Sequence, residues 1–231
     1  AVFARRKYGF GKIRYQLFPD QDVHDFETFV LRQSGNDNQS THLTYPRSEI
    51  RAFGPAKSYG SYFVNGNFTL FRDAMLGSLG KELGLDTQGY RPAVVYLNGK
   101  YWGIYNIREK LNEHYLESHF GVPNNRVDLI EGYGSANSGS GATYSRMRSL
   151  VNRTNTVEDY REVEETYLDI ANFIDYYLSV IFFQNFDIGN IKCWRSKEEG
   201  DDGRFRWLLY DQDYGFNLWP EEVYQPAMKR N

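Results

Sequence analysis

Apolar positions along the chain begin as short strand-like runs and later switch between helical spacing and strand-like stretches. Ala1 to Ala4, Tyr8-Gly9-Phe10-Gly11, Ile13 to Phe18 and Phe29-Val30-Leu31 are bounded by turn residues and predict strands of a small sheet. From Gly35 to Asn67 the chain is polar and rich in Gly, Ser, Asn and Pro, which predicts a long surface loop or insertion. Phe71, Met75, Leu79 and Leu83 then recur every fourth residue and Leu76 widens the stripe. This predicts an amphipathic helix over Leu70 to Leu83, stopped by Gly84. Ala93 to Leu97 and Tyr101 to Ile107 flank Asn98-Gly99, a pair suited to the two positive-φ positions of a tight hairpin turn.

A second helix is expected from about Lys110 to Phe120, ended by Gly121 with Pro123 beyond. Gly132 to Thr143 is Gly/Ser-rich and reads as a mobile loop. Asp169, or a near neighbour, caps a long helix in which Ile170, Phe173, Ile174, Tyr177, Leu178, Ile181 and Phe182 keep helical spacing. That helix reads as the central core element and carries Asp187 to its C-terminal end. Ile191 to Ser196 and Arg204 to Tyr210 are expected to pair across the polar turn Lys197 to Gly203, a second hairpin that delivers Asp211.

At 231 residues the chain suffices for one sizeable core or two lobes sharing a cleft. Its net charge of −3 lacks the basic stripe a phosphate polyanion needs, so no nucleic-acid partner is expected. An aromatic share of 17% is high for a cytosolic enzyme and compatible with work at a surface or outside the cell. The single cysteine, Cys193, excludes an internal disulfide and a cysteine-based zinc cluster, and its place in a predicted strand puts it in the core. No stretch approaches the ~20 apolar residues of a membrane span. The opening Ala1-Val2-Phe3-Ala4-Arg5-Arg6 does not read as a signal peptide but as a strand entered midway, so a longer native chain is expected. His24, His42, His114 and His119 form no His-Glu-x-x-His, and the Gly132 to Gly141 loop holds no Gly-x-Ser-x-Gly, which argues against zinc and serine hydrolysis.

The candidate chemistry lies in the last quarter, in Asp187-x-x-Asn190 and Asp211-x-Asp213. An Asp and Asn just past a helix commonly form Asx turns. Three carboxylates and an amide at the ends of buried elements, however, call for a cation, and such oxygen ligands suit Mg²⁺, Mn²⁺ or Ca²⁺. The order reproduces the layout of protein-kinase-type phosphotransferases: an Asp that handles the attacking hydroxyl, a nearby Asn on a metal, and an Asp after a short hairpin on the bridging metal. The Asp-to-Asn spacing is shorter than in ordinary protein kinases and no His-Arg precedes the Asp. Gly9-Phe10-Gly11-Lys12 lacks phosphate-loop spacing and reads as a tight strand turn. Arg32 and Asp37, like Arg72 and Asp73, are either cleft residues for phosphate or structural ion pairs. Glu109 either caps the following helix or lines a nucleotide pocket.

Several blocks, Phe71-Arg72-Asp73-Ala74, Tyr96 to Tyr105 through Glu109, and Asp187-x-x-Asn190 with Tyr210-Asp211-Gln212-Asp213, resemble the CotH kinases, a family named for a bacterial spore-coat protein. The resemblance covers nearly the whole chain. It implies an atypical protein-kinase-like fold that binds ATP with Mg²⁺ and phosphorylates Ser on coat proteins, with Asp187 and Asp211 as the essential acids. It also implies a lysine-bearing strand upstream of Ala1. The resulting expectation is an α+β, two-lobed domain over residues 1–231, with 1–108 as an N-lobe and 109–231 as a mostly helical C-lobe. Asp211 and Asn190 would hold Mg²⁺ with Asp213 as second choice, Asp187 would orient or deprotonate the acceptor hydroxyl, and Arg32 and Glu109 would face the nucleotide. The acceptor would be a Ser/Thr protein, Lys/Arg-rich to suit Glu198, Glu199, Asp201 and Asp202, at a spore coat, at a cell surface or secreted. A catalytically silent scaffold and a calcium-binding module are the alternatives.

Overall fold

The computed structural model describes residues 1–37, 69–185, 187 and 189–216. The chain is α+β. Its first sheet has the order β1-β4-β7-β6, built from β1 (Val2–Phe3), β4 (Thr28–Arg32), β6 (Tyr90–Leu97) and β7 (Lys100–Glu109). All its pairings are antiparallel, and β2 (Ile13–Arg14) with β3 (Asp25–Phe26) forms a separate small ribbon. The second sheet has the order β5-β11-β10-β8-β9: β5 (Asp86–Thr87), β8 (Val127–Glu131), β9 (Ser135–Ser138), β10 (Lys192–Ser196) and β11 (Arg206–Leu209). Here β5 runs parallel to β11 while the other pairs are antiparallel. The helices are α1 (Arg72–Glu82), α2 (Glu113–Phe120), α3 (Ala142–Val151), α4 (Val157–Thr166) and α5 (Ile170–Phe182).

Both expected hairpins form. Asn98 and Gly99 take φ of 51° and 77°, the left-handed conformation that joins β6 to β7 without splaying them. Strands β10 and β11 pair with Lys192 opposite Leu208, and Cys193 is buried as expected. Asp169 caps α5 by accepting from the Asn172 N–H at 3.1 Å, and Gly121 ends α2 in a left-handed turn. The main core lies between the second sheet and α5, with Tyr176, Val180 and Phe183 packed toward Trp207 and Leu209.

Other expectations are corrected. In α1 the buried face is Arg72, Asp73, Leu76, Gly77 and Gly80, while the apolar stripe Phe71, Met75, Leu79 and Leu83 points outward. Ion pairing made the charged residues the inner ones. Helix α5 is half-buried rather than central, since Ile174, Leu178, Ile181 and Phe182 are exposed. The Gly/Ser segment expected to be a mobile loop contains β9, paired with β8. Residues near Tyr8 form a 3₁₀ turn rather than a strand, and α3 and α4 were not foreseen. The loop expected at Gly35 to Asn67 falls, from residue 38 on, outside the described residues. Among the described residues, no helix is long and apolar enough to cross a membrane.

The first turn of α1 joins the two sheets. Asp73 pairs with Arg108 of β7 at 3.1 Å and accepts from the Gln212 N–H at 2.8 Å, with both side chains nearly inaccessible. Asp37 satisfies the helix start, accepting from the N–H groups of Thr69 and Arg72 at 2.8 and 3.1 Å and pairing with the Arg72 guanidinium at 3.5 Å. Arg72 also donates to the Gly215 carbonyl at 2.9 Å. Asp73→Asn leaves Arg108 buried without its counter-charge and is expected to cost about 3–5 kcal/mol in urea unfolding. The double change Asp73→Leu with Arg108→Met should recover much of that loss; a double variant as unstable as the single one would show that the pair is not the cause.

Candidate active site

Strand β11 ends at Leu209, and two residues later Asp211 takes φ of 57°. An L-residue pays a steric penalty there, less for Asp than for most, and such outliers persist where surrounding contacts hold them. On its two sides the Asn185 amide donates to the Asp211 carbonyl at 3.3 Å and to the Gln212 side-chain oxygen at 3.0 Å. Asp73 holds the next N–H, that of Gln212. The turn is therefore fixed by two separate segments.

The structure brings five of the six expected site residues together. The Asn190 amide donates to Asp187 at 2.9 Å and to Asp211 at 2.8 Å, using both of its hydrogens to bridge the two carboxylates. From the first sheet, the Arg32 guanidinium ion-pairs with Asp211 and, at 3.0 Å, with Asp213. Asp213 also accepts from the Asn36 N–H at 2.7 Å. Gly35 permits this approach: its φ is 57°, and a Cβ there would fall 2.0 Å from the Asp213 carboxylate.

Glu109 is the exception. Its carboxylate accepts from the Gln21 amide at 3.0 Å and the Gly89 N–H at 2.8 Å and meets His119 at 2.7 Å, none of which touches the Asp187–Asp211 cluster. The register explains this, because Arg32 lies opposite Asn106 while Glu109 lies opposite Phe29, at the other end of the pairing. Asp37 and Arg72, left open between phosphate binding and structure, pair with each other at the helix start. Sequence reasoning missed Asn185 and Gly35, which shape the turn rather than face the cluster. Asn185 lies two residues before Asp187, the one signal that pointed to it.

The local electrostatics are unbalanced. Burial works against the Arg32 charge, but Asp73, Asp211 and Asp213 more than offset it and hold the guanidinium firmly protonated. Burial and then Asp211 push the Asp213 carboxyl up to about 6 despite Arg32 and the Asn36 N–H. Burial and Asp211 likewise raise Asp187 above the ordinary carboxylate range. One oxygen of Asp213, Oδ1, is buried with no hydrogen-bond partner. Among the described residues no three acidic, His or Cys side chains stand at metal-holding spacing, and Arg32 sits between Asp211 and Asp213. The donors fit a hard cation all the same: all are oxygens, one is unpartnered, and the carboxylates repel one another.

The family model for CotH kinase protein matches residues 65–230, which spans the cluster from α1 to beyond Asp213. The chain belongs to the CotH kinase family. No curated protein matches it. Asp73, Asp187, Asn190, Asp211 and Asp213 all fall inside the segment matched to the CotH kinase family, whereas Arg32 and Asn36 reach the cluster from outside it.

A carboxyl whose folded value is raised stabilises the fold most below its ordinary value, and that contribution is lost as pH rises through the folded value. For Asp213 the window runs from 3.8 to about 6. The stability of the unaltered chain relative to Asp213→Asn should therefore fall by on the order of 3 kcal/mol between those pH values, without added metal. Urea unfolding at a series of pH values reads this directly, and a constant difference would place the titration elsewhere.

Proposed function

We propose that the chain is a phosphotransferase that uses ATP and Mg²⁺ to phosphorylate Ser or Thr of a protein acceptor, on a coat or surface. The observation that carries this reading is the linking of Asp187 to Asp211 by the Asn190 amide and of Asp211 to Asp213 by an arginine from the other sheet, with one oxygen of Asp213 buried and unpartnered. In the same reading the two sheets belong to two lobes, divided near residue 108 except for β5, which pairs into the second sheet, and the cluster lies where they meet. Family membership supports kinase-type chemistry; the nucleotide, the metal and the acceptor are our assignment.

Asp211, Asp213 and the side-chain oxygen of Asn190 would hold the metal, which when bound supplies charge neutralisation for the terminal phosphates. Asp211 is held in place beforehand by its fixed turn, so little reorganisation is needed when charge develops. Arg32, now engaged with both carboxylates, is placed to turn toward a phosphate oxygen once their charge is met otherwise. Asp187 has a raised affinity for protons and lies one amide away from Asp211, which suits it to orient the acceptor hydroxyl and accept its proton. Glu109 takes a structural role here. One observation favours the alternative of a catalytically silent scaffold: Arg32 already closes an ion pair with Asp211.

Thermal unfolding with and without Mg²⁺-ATP separates the two, since a ligand of the folded state must raise its stability. Asp211→Asn should keep the fold and lower phosphate transfer at least about a hundredfold. Asp187→Ala should abolish transfer yet retain Mg²⁺-ATP binding by calorimetry. Loss of nucleotide binding in the latter variant would make Asp187 a metal ligand, and undiminished turnover in Asp211→Asn would overturn the assignment.

A further inference from the structure

Strand β4 pairs with β7 only from Glu109 to Asn106, so among the described residues the hairpin of β6 and β7 runs on past it as a two-stranded ribbon. Arg32 stands directly opposite Asn106, and residues opposite one another in an antiparallel pair share a face. Two residues further out on that same face Val94 lies opposite Ile104, and two beyond that on β6 Tyr96 lies opposite Tyr101. The irregular register between Val95 and Tyr96 does not divide this face, since the Tyr96 and Tyr101 rings meet edge to face with centroids 5.9 Å apart. All four side chains are more than half exposed. A sheet face turned to water ordinarily carries polar residues, and a two-stranded ribbon gains little stability of its own. Toward Glu109 the same face is covered, for Arg108 reaches Asp73 of α1 and the Asn106 amide donates to Ser34 and to the Leu70 carbonyl. The open apolar stretch therefore begins where Arg32 meets Asp211 and Asp213.

We propose that this ribbon face seats the acceptor protein: an extended segment whose apolar or aromatic side chains, at alternate positions, pack on Val94 with Ile104 and on Tyr96 with Tyr101 while a neighbouring residue passes Arg32. That the occupant is the acceptor rests on the phosphotransfer reading. Lys100 is the ribbon's one formal charge from Pro92 to Tyr105, and it pairs opposite Leu97 on the other face. An uncharged face suits apolar side chains rather than a nucleotide, whose phosphates call for cations. A flat lipid surface is held off by the 211–213 turn, which meets the same face at Arg32, whereas a single extended chain can run past it. Strand rise places the two pairs roughly 7 and 13 Å out from Asn106. Anchoring side chains then sit about two and four extended residues beyond the residue that passes Arg32.

The test uses a dye-labelled peptide with Leu and Phe two residues apart on each side of a central Ala and Gln elsewhere, followed by fluorescence anisotropy without nucleotide. Seating is thus read apart from transfer. Val94→Thr/Ile104→Thr keeps β-branched side chains at exposed strand positions, so it should fold, and it should bind the peptide at least tenfold more weakly. Leu178→Gln/Ile181→Gln, a similarly exposed apolar pair on α5, should bind as the unaltered chain does. No binding, equal binding of a peptide with Asn in place of Leu and Phe, or equal weakening by both double variants would overturn the proposal. So would sedimentation showing that the chain dimerises through this face, with Val94→Thr/Ile104→Thr returning it to a monomer. With Ser at the peptide's centre and Mg²⁺-ATP present, the ribbon variant should raise the KM for the peptide at least tenfold. Intact seating without any transfer would instead remove the phosphotransfer reading and keep the face as a docking surface.

Discussion

Burying the Asp73 carboxylate between the two sheets is the constraint on which the rest of the arrangement depends. Its desolvation is unfavourable, yet Arg108, Arg32 and the backbone N–H groups of Gln212 and Asp211 outweigh it and hold the group below the ordinary carboxylate range. These partners come from three different segments, so the charge can be buried only if β4, β7, α1 and the 211–213 turn arrive together. That requirement turns an ion pair, weak as a source of net stability, into a device that fixes register between elements. Functional groups placed next to such a tie inherit its precision.

The same tie accounts for the backbone of Asp211. Left alone, a turn with an L-residue at positive φ would relax, but Asp73 on one side and Asn185 on the other hold its amide and carbonyl. Asp211 thereby presents its carboxylate toward Asn190 and Arg32 instead of burying it against Leu209. Rigid elements supply the ends of β11 and α5, while irregular residues supply the chemistry, the usual division where a scaffold positions a site.

Local chemistry was legible in the sequence and inter-element pairing was not. Asn98-Gly99 and the Asp169 cap name their conformation in two or three residues, and both were read correctly. The α1 stripe was misread because periodicity ranks Phe71, Met75, Leu79 and Leu83 as the buried face, whereas Arg72 and Asp73 go inside with partners 35 to 139 residues distant that no local pattern reveals. Asp187, Asn190, Asp211, Asp213 and Arg32 were identified from residue type and order, but Arg32's position between the two aspartates follows from the β4–β7 register. Glu109 shows the opposite case: a charged residue at a strand end has two destinations, and only the pairing with Phe29 decides between them. Helix α4 carried a readable signal in Thr156 and Asp159, whose reciprocal capping bonds start it, although its polar surface gave no apolar stripe.

Charge balance links the fold to the proposed chemistry. Asp73 and Arg108 neutralise one another, which leaves Arg32, among the described residues, as the cation paired with Asp211 and Asp213, while Asp187 joins them through Asn190. One guanidinium against three carboxylates leaves two negative charges unmatched when all are ionised, and the raised proton affinity of Asp213 and Asp187 comes first from burial and then from the Asp211 charge. Protons relieve it at low pH. At neutral pH a doubly charged cation relieves it without protonating anything, and it would free Arg32 from double duty. A site tuned in this way binds metal more weakly as pH falls, since protons and metal compete for the same oxygens.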